Sequence, residues 1–171
     1  MKIKNIVRIL LSLVLVFGFS SAWAAQTIKW SMQGDSLTLD PHAQNEGPTT
    51  QVSRQVYEAL VQRGLDMKIG PALATSWKAT DPNTWLFQLR KDAKFSDGSG
   101  MTSADVVFSI LRAKQRTSDF KEYISTVSNV EAVGDYAVKI TTSKPNPILL
   151  NQLSNIFIMS KAWSEKNFAM S

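Results

Sequence analysis

The chain has 171 residues, with 19 Lys or Arg against 14 Asp or Glu, one histidine and no cysteine. This inventory excludes disulfides and a cysteine nucleophile, and it leaves a single residue for any histidine-dependent catalysis. The net charge of +5 is concentrated at the start: without Lys2, Lys4 and Arg8, 16 basic residues face 14 acidic ones, a net of +2. So balanced a chain gives no support for a nucleic-acid partner, which needs clustered basic charge.

The first 24 residues read as a secretory signal peptide. Lys2, Lys4 and Arg8 precede an apolar run of 11 residues, Ile9 to Phe19, broken only by Ser12 and Gly18. Ala22-Trp23-Ala24 then offers the small-x-small pattern of a cleavage site, with the cut expected after Ala24. A membrane-spanning helix needs about 20 apolar residues, so an uncleaved anchor is the lesser reading. With no cysteine at the cut there is no lipoprotein signal, and the expected location is the periplasm. The remainder is long enough for one sizeable core, and 44% hydrophobic residues with five tryptophans fit a globular domain.

Gln26 to Met32 alternates apolar and polar residues and predicts a strand, broken by Gly34-Asp35-Ser36. Leu37 to Leu39 is short and extended, Asp40-Pro41 turns the chain, and His42 to Pro48 is polar loop. Thr49 or Thr50 is expected to cap a helix with Val52, Val56, Ala59 and Leu60 on one face and Gly64 as its C-cap. Ser76 to Ala79 and Thr84 to Arg90 read as strands around the turn Asp81-Pro82-Asn83. Thr102 to Lys114 is a helix, with Thr102 and Asp105 at capping-box spacing and Val106, Val107, Ile110 and Leu111 as its apolar stripe. Val127 to Val133 and Tyr136 to Thr141 form a hairpin about Gly134-Asp135. Asn146-Pro147 then opens a helix that buries Ile148, Leu149 and Leu153. Hairpins and helices mix without strict alternation, so the class is mixed α+β rather than a doubly wound parallel sheet.

No catalytic apparatus emerges from these residues. His42 reads as a loop histidine with local hydrogen bonds, against the sharper reading of a triad member. A zinc site needs three or four protein ligands, which one histidine and no cysteine supply poorly. Gly98-Ser99-Gly100 lacks the residues that follow in a phosphate-cradling loop, and Asp92 and Asp97 read as solvated loop charges. Trp30, Trp77 and Trp85 lie on predicted strands and are read as core, with a ligand-cleft role as the alternative.

Five segments in series carry a resemblance. Leu39-Asp40-Pro41-His42 resembles "LDPH", and Val56-Tyr57-Glu58-Ala59-Leu60 resembles "vyEgL". Pro71-Ala72-Leu73-Ala74-Thr75-Ser76-Trp77 is similar to "P-x-LA-x-SW". The run from Thr84 to Gly98, and then Met101 to Ser109, follows "W-x-F-x-LR-x-x-x-KF-x-DG-x-x-x-T-A-x-DV-x-(F/Y)-S" in order and spacing. Together they resemble the family 5 extracellular solute-binding proteins of ABC transporters, which include periplasmic dipeptide-, oligopeptide- and nickel-binding proteins.

The resemblance implies a type II periplasmic-binding-protein architecture. Residues 25–48 would supply the first strand and ligand-side loop of lobe I, residues 49–160 a small α+β lobe, and residues 161–171 the start of the return to lobe I. It implies capture of a small solute, a di- or oligopeptide first, with nickel chelate, glutathione or oligosaccharide as alternatives. The chain would hand that solute to an ABC permease in the inner membrane, as a monomer without cofactor, metal site or catalytic residues. In peptide-binding members a loop after "DPH" touches the ligand; the matching residues here are Asn45, Glu46, Gly47, Pro48 and Thr49. An irregular polar loop offers free backbone groups to an extended peptide, although an ordinary surface loop has the same composition. Family members run to about three times this length and close two large lobes on the ligand, so these 171 residues alone are not expected to bind substrate tightly. Two rival readings stay open: a secreted α/β hydrolase, and an envelope module that binds a protein partner.

Overall fold

A computed structural model describes residues 29–167. The expected signal peptide and residues 26–28 of the first expected strand lie outside them. Residues 29–32 carry no strand, contrary to expectation: alternation yields a strand only where a neighbour pairs with it, and none of the described strands does. Trp30 is correspondingly exposed.

From Met32 onward the described chain forms one compact unit. Helix α1 is Gly47–Val56. Strands β1 (Val61–Arg63) and β2 (Ile69–Pro71) pair antiparallel as a small hairpin. Strands β3 (Ala74–Asp81), β4 (Thr84–Leu89), β5 (Val127–Ala132) and β6 (Ala137–Thr142) make an antiparallel sheet in the order β3-β4-β6-β5. Helix α2 (Ser103–Ala113) lies between β4 and β5 in sequence and packs on β5 and β6. A 3-10 turn spans Lys121–Ile124, and the short helices α3 (Leu149–Leu153) and α4 (Lys161–Lys166) follow.

Register assigns the sheet two unlike faces. Trp85 lies opposite Ile140 and Phe87 opposite Val138, and Val130 lies opposite Ile140 on the other side. These side chains join Val106 and Ile110 of α2 in the core, where Phe87, Val138 and Ile140 are fully buried. The alternate face carries Gln88 and the Lys139–Glu131 ion pair at 2.6 Å. One wet face and one packed face is what period-two patterning produces in an antiparallel sheet. Gly134 closes the β5–β6 hairpin at φ +66, a left-handed conformation that suits glycine.

Three expectations need correction. The helix expected to reach Gly64 ends at Val56, and Tyr57 is already extended at φ −117 and ψ 153. Ala59-Leu60-Val61 buries as an uninterrupted apolar triplet, which suits an extended segment flanked on both sides better than one helix face. Leu60 O accepts from Ala74 N at 2.8 Å, Ala59 bridges Phe157, and Val56, assigned to the apolar face, is exposed. The N-cap of α1 is Glu46, not Thr49 or Thr50, because its carboxylate reaches Thr49 N while Pro48 occupies the first turn, where no N–H is missed. Finally, α3 begins at Leu149, so Asn146 instead closes a turn onto Ile148 N, and Ile148 points to solvent while Leu149 and Leu153 bury.

Candidate functional site

The candidate loop leads into α1. Asn45 is exposed. Glu46 Oε1 accepts from Thr49 N at 3.1 Å, so one of its oxygens is committed to capping the helix. Gly47 is exposed, and a Cβ there would meet nothing within 4 Å. Pro48 is half-buried, and its ring lies 3.3 Å from where a Cβ on Gly34 would stand. Thr49 is buried, with Oγ1 accepting from Leu37 N at 3.0 Å. The five residues are thus contiguous at one helix end, with Glu46 and Thr49 side chains used to brace the backbone and Asn45 and Gly47 left open.

The preceding Asp40-Pro41-His42 turn is anchored much more deeply. Asp40 Oδ1 accepts from His42 N at 3.0 Å, which closes the turn. Arg112, from the last turn of α2, then clamps Asp40 with two bonds, Nη1 to Oδ1 at 2.8 Å and Nη2 to Oδ2 at 2.6 Å. Burial pushes the Asp40 carboxyl up, but the Arg112 bonds and the His42 amide outweigh it and hold the group below the usual carboxylate range. His42 is 1% exposed, and its ring lies between Arg112 Nη1, 3.2 Å from Nδ1, and Phe157 O, 3.0 Å from Nε2. A guanidinium only donates and a carbonyl only accepts, so the geometry admits only the neutral ring with its proton on Nε2. Burial and the Arg112 charge together push His42 down to about 4.

His42 is therefore a structural keystone rather than a loop histidine with local bonds. Its ring partner at Phe157 is 115 residues away. Its own carbonyl accepts from Ser118 Oγ at 3.1 Å and Asp119 N at 3.2 Å.

Arg112 belongs to a polar seam along α2. Asp105, Ser109 and Arg112 recur at helical spacing and all three are buried. Asp105 Oδ1 accepts from Lys161 N at 2.9 Å, and Ser109 Oγ accepts from Met159 N at 2.8 Å while donating to Asp105 O at 2.7 Å. With His42 on Phe157, the seam fixes alternate backbone positions 157, 159 and 161. Sequence reasoning assigned none of these roles. The recurrence of Asp105, Ser109 and Arg112 at helical spacing was the available signal, and it names no partner.

A cavity of about 420 Å³ opens beside this segment, lined by Tyr57, Phe95, Met101, Met159 and Trp163 among others. It borders the C-terminal end of α1, whereas residues 45–49 lie at the N-terminal end, and none of those five lines it. The largely apolar cavity and the candidate loop are therefore separate features.

Known proteins are similar to this chain in sequence and in fold. The chain is 31% identical over 141 residues to the periplasmic oligopeptide-binding protein OppA of Escherichia coli, covering 71% of this chain and 26% of OppA. Among solved structures, the murein tripeptide binding protein MppA of Escherichia coli superposes with a TM-score of 0.74 at 30% identity, over 79% of this chain and 31% of MppA. The protein AgaA of A. tumefaciens R10, solved with agropinic acid, gives 0.74 at 34% identity, over 79% of this chain and 28% of AgaA. The chain thus spans between a quarter and a third of the length of these relatives. Residues 68–170, which hold both sheets' later strands, α2 and its seam, match the family described as bacterial extracellular solute-binding proteins, family 5 Middle. On that match and that shared fold, the chain belongs to the family 5 bacterial extracellular solute-binding proteins.

Proposed function

We propose that this chain is part of a periplasmic solute-binding protein that captures a short peptide and delivers it to an ABC permease in the inner membrane, working as a monomer. The family match over residues 68–170 carries the reading. Similarity to OppA, an oligopeptide-binding protein, and to MppA, a murein tripeptide binding protein, favours peptide as the solute class. AgaA, with its agropinic acid, makes an opine the second candidate.

In this reading residues 25–48 belong to lobe I, residues 49–160 form the small lobe, and residues 161–171 begin the return. The loop Asn45-Glu46-Gly47-Pro48-Thr49 is the ligand-side element. What supports it physically is a division of labour: Glu46 and Thr49 brace the backbone, while Asn45 and Gly47 present open main-chain groups to an extended peptide. Peptide termini and main chain would pair there by hydrogen bonds, with no bond made or broken, so no catalytic residue is invoked.

The test is uptake in cells. A strain lacking the coding sequence is expected to lose accumulation of labelled tripeptide, and the parent allele should restore it. Gly47→Val, which adds bulk at an open position, should restore it several-fold less well at equal protein level. Unchanged uptake of tripeptide, glutathione and agropinic acid in the deletion strain overturns the proposal.

A further inference from the structure

Two arginines converge on one concave surface from different elements. Arg54 lies in the last turn of α1, and Arg63 ends β1. Arg54 Nη2 donates to Asn155 Oδ1 at 2.8 Å, and Arg63 Nη2 donates to Asn151 Oδ1 at 2.9 Å. Asn155 Nδ2 in turn donates to Asn151 O at 3.0 Å, so the two acceptors sit one helical turn apart at the end of α3. A concavity of about 600 Å³ lies among them, with Tyr123, Met67 and Ile148 on its other walls.

Two guanidiniums brought onto one surface repel, and a carboxylate between them would be the usual remedy. Among the described residues, neither Arg54 nor Arg63 has an Asp or Glu within ion-pair distance. No acidic residue lines the concavity either. Asp66, on the β1–β2 turn, is directed instead to Lys68, through the amide at 3.1 Å and the ammonium at 3.5 Å. Neutral asparagine carbonyls orient each guanidinium without cancelling its charge, and each fork keeps further N–H donors.

The apolar wall is also unusual. Met67 holds φ +64, a left-handed conformation that costs a non-glycine residue about 1 kcal/mol or more, and its side chain is 65% exposed. Ile148 is 55% exposed on the facing element.

We propose that this concavity is an oxyanion site, which takes a phosphate or carboxylate group bridged between Arg54 and Arg63 with the ligand's apolar part against Met67 and Ile148. It stands apart from residues 45–49, at the other end of α1, and does not rest on the solute-capture reading.

Sodium phosphate and sodium citrate, titrated calorimetrically into the protein against sodium chloride of equal ionic strength, test it. Saturable binding is expected for the multivalent anions and none for chloride. Arg54→Gln and Arg63→Gln should each weaken binding about tenfold, the scale of one lost charge-assisted bond. Both side chains are exposed, so folding should survive. Asn151→Asp is the sharper variant: it places a carboxylate at the acceptor 2.9 Å from Arg63 and should abolish anion binding without lowering the melting temperature. Co-sedimentation with phosphatidylglycerol vesicles, against phosphatidylcholine, separates the sources. Binding of free phosphate without pelleting assigns a soluble anion, whereas pelleting abolished by Asn151→Asp assigns a lipid headgroup. Absence of saturable phosphate or citrate binding together with absence of such pelleting, or binding that Asn151→Asp leaves intact, overturns the proposal.

Discussion

His42 sits between a group that only donates and a group that only accepts, Arg112 and the Phe157 carbonyl. Protonating Nδ1 would remove the acceptor for Arg112 and place a second positive charge beside the guanidinium. In the unfolded chain the ring titrates near 6.5, and in the fold near 4. Between those values the unfolded state takes up a proton that the folded state refuses, so stability is full above about pH 6.5 and falls as pH drops toward 4. The gap corresponds to on the order of 3 kcal/mol. Asp40 acts in the same direction at lower pH: its depressed carboxyl contributes stability above 3.8 that is lost as acid reaches its folded value. Urea unfolding at pH 7.0, 5.5 and 4.5 is expected to show the decline. His42→Gln, which keeps a donor for Phe157 but does not titrate, should flatten it by more than half. Parallel pH profiles for parent and variant would mean that other groups dominate.

Helix α2 shows which kind of information a single chain carries. Its N-terminus was legible because capping is local: Thr102 and Asp105 stand three apart, and Asp105 Oδ2 accepts from Thr102 N at 2.8 Å. Val106 and Ile110 were legible because burial follows helical spacing, although Leu111 at the stripe's edge stays exposed. The polar seam was not legible, since the backbone partner of Ser109 is 50 residues away and that of the His42 ring is 115. The end of α1 was misread for a related reason. Ala59 and Leu60 fit a helical face by spacing, but their partners at 73, 74 and 157 draw them into an extended segment. The candidate loop 45–49 was legible as an irregular approach to a helix, whereas its bracing by Glu46 and Thr49 depends on Leu37 and on where the helix starts. The seam makes its own prediction. Ser109→Ala leaves the buried Met159 amide without an acceptor and should cost about 1–3 kcal/mol in denaturant unfolding, with the midpoint moving and the slope unchanged. Ser109→Thr, which keeps the hydroxyl, should recover part of it. A loss below about 0.5 kcal/mol for alanine would mean that water or a backbone shift replaces the bond.

At the scale of the whole chain, burial decides how much ligand binding these residues provide. Small-molecule sites enclose most of the ligand surface, typically about 70–90%. Residues 45–49 are one braced edge with open groups at Asn45 and Gly47, and the open, largely apolar cavity of about 420 Å³ lies at the other end of α1. A peptide laid along the loop would gain only the few hydrogen bonds that Asn45 and Gly47 leave open, since Pro48 has no N–H and the Thr49 amide is taken by Glu46, and its other side would stay in water. Halving the favourable free energy of a micromolar complex takes it to about millimolar. The 171-residue chain, which spans about a quarter of OppA, is therefore expected to bind tri- and tetrapeptides no more tightly than about 1 mM in calorimetric titration. Saturable binding at or below ten micromolar would show that the loop and its surroundings already enclose the ligand. In that case Asn45→Ala and Gly47→Val should each weaken the complex, and the need for an opposing wall would fall. Millimolar or absent binding, combined with loss of tripeptide uptake on deletion, would place the missing contacts on residues beyond this stretch of the family's length.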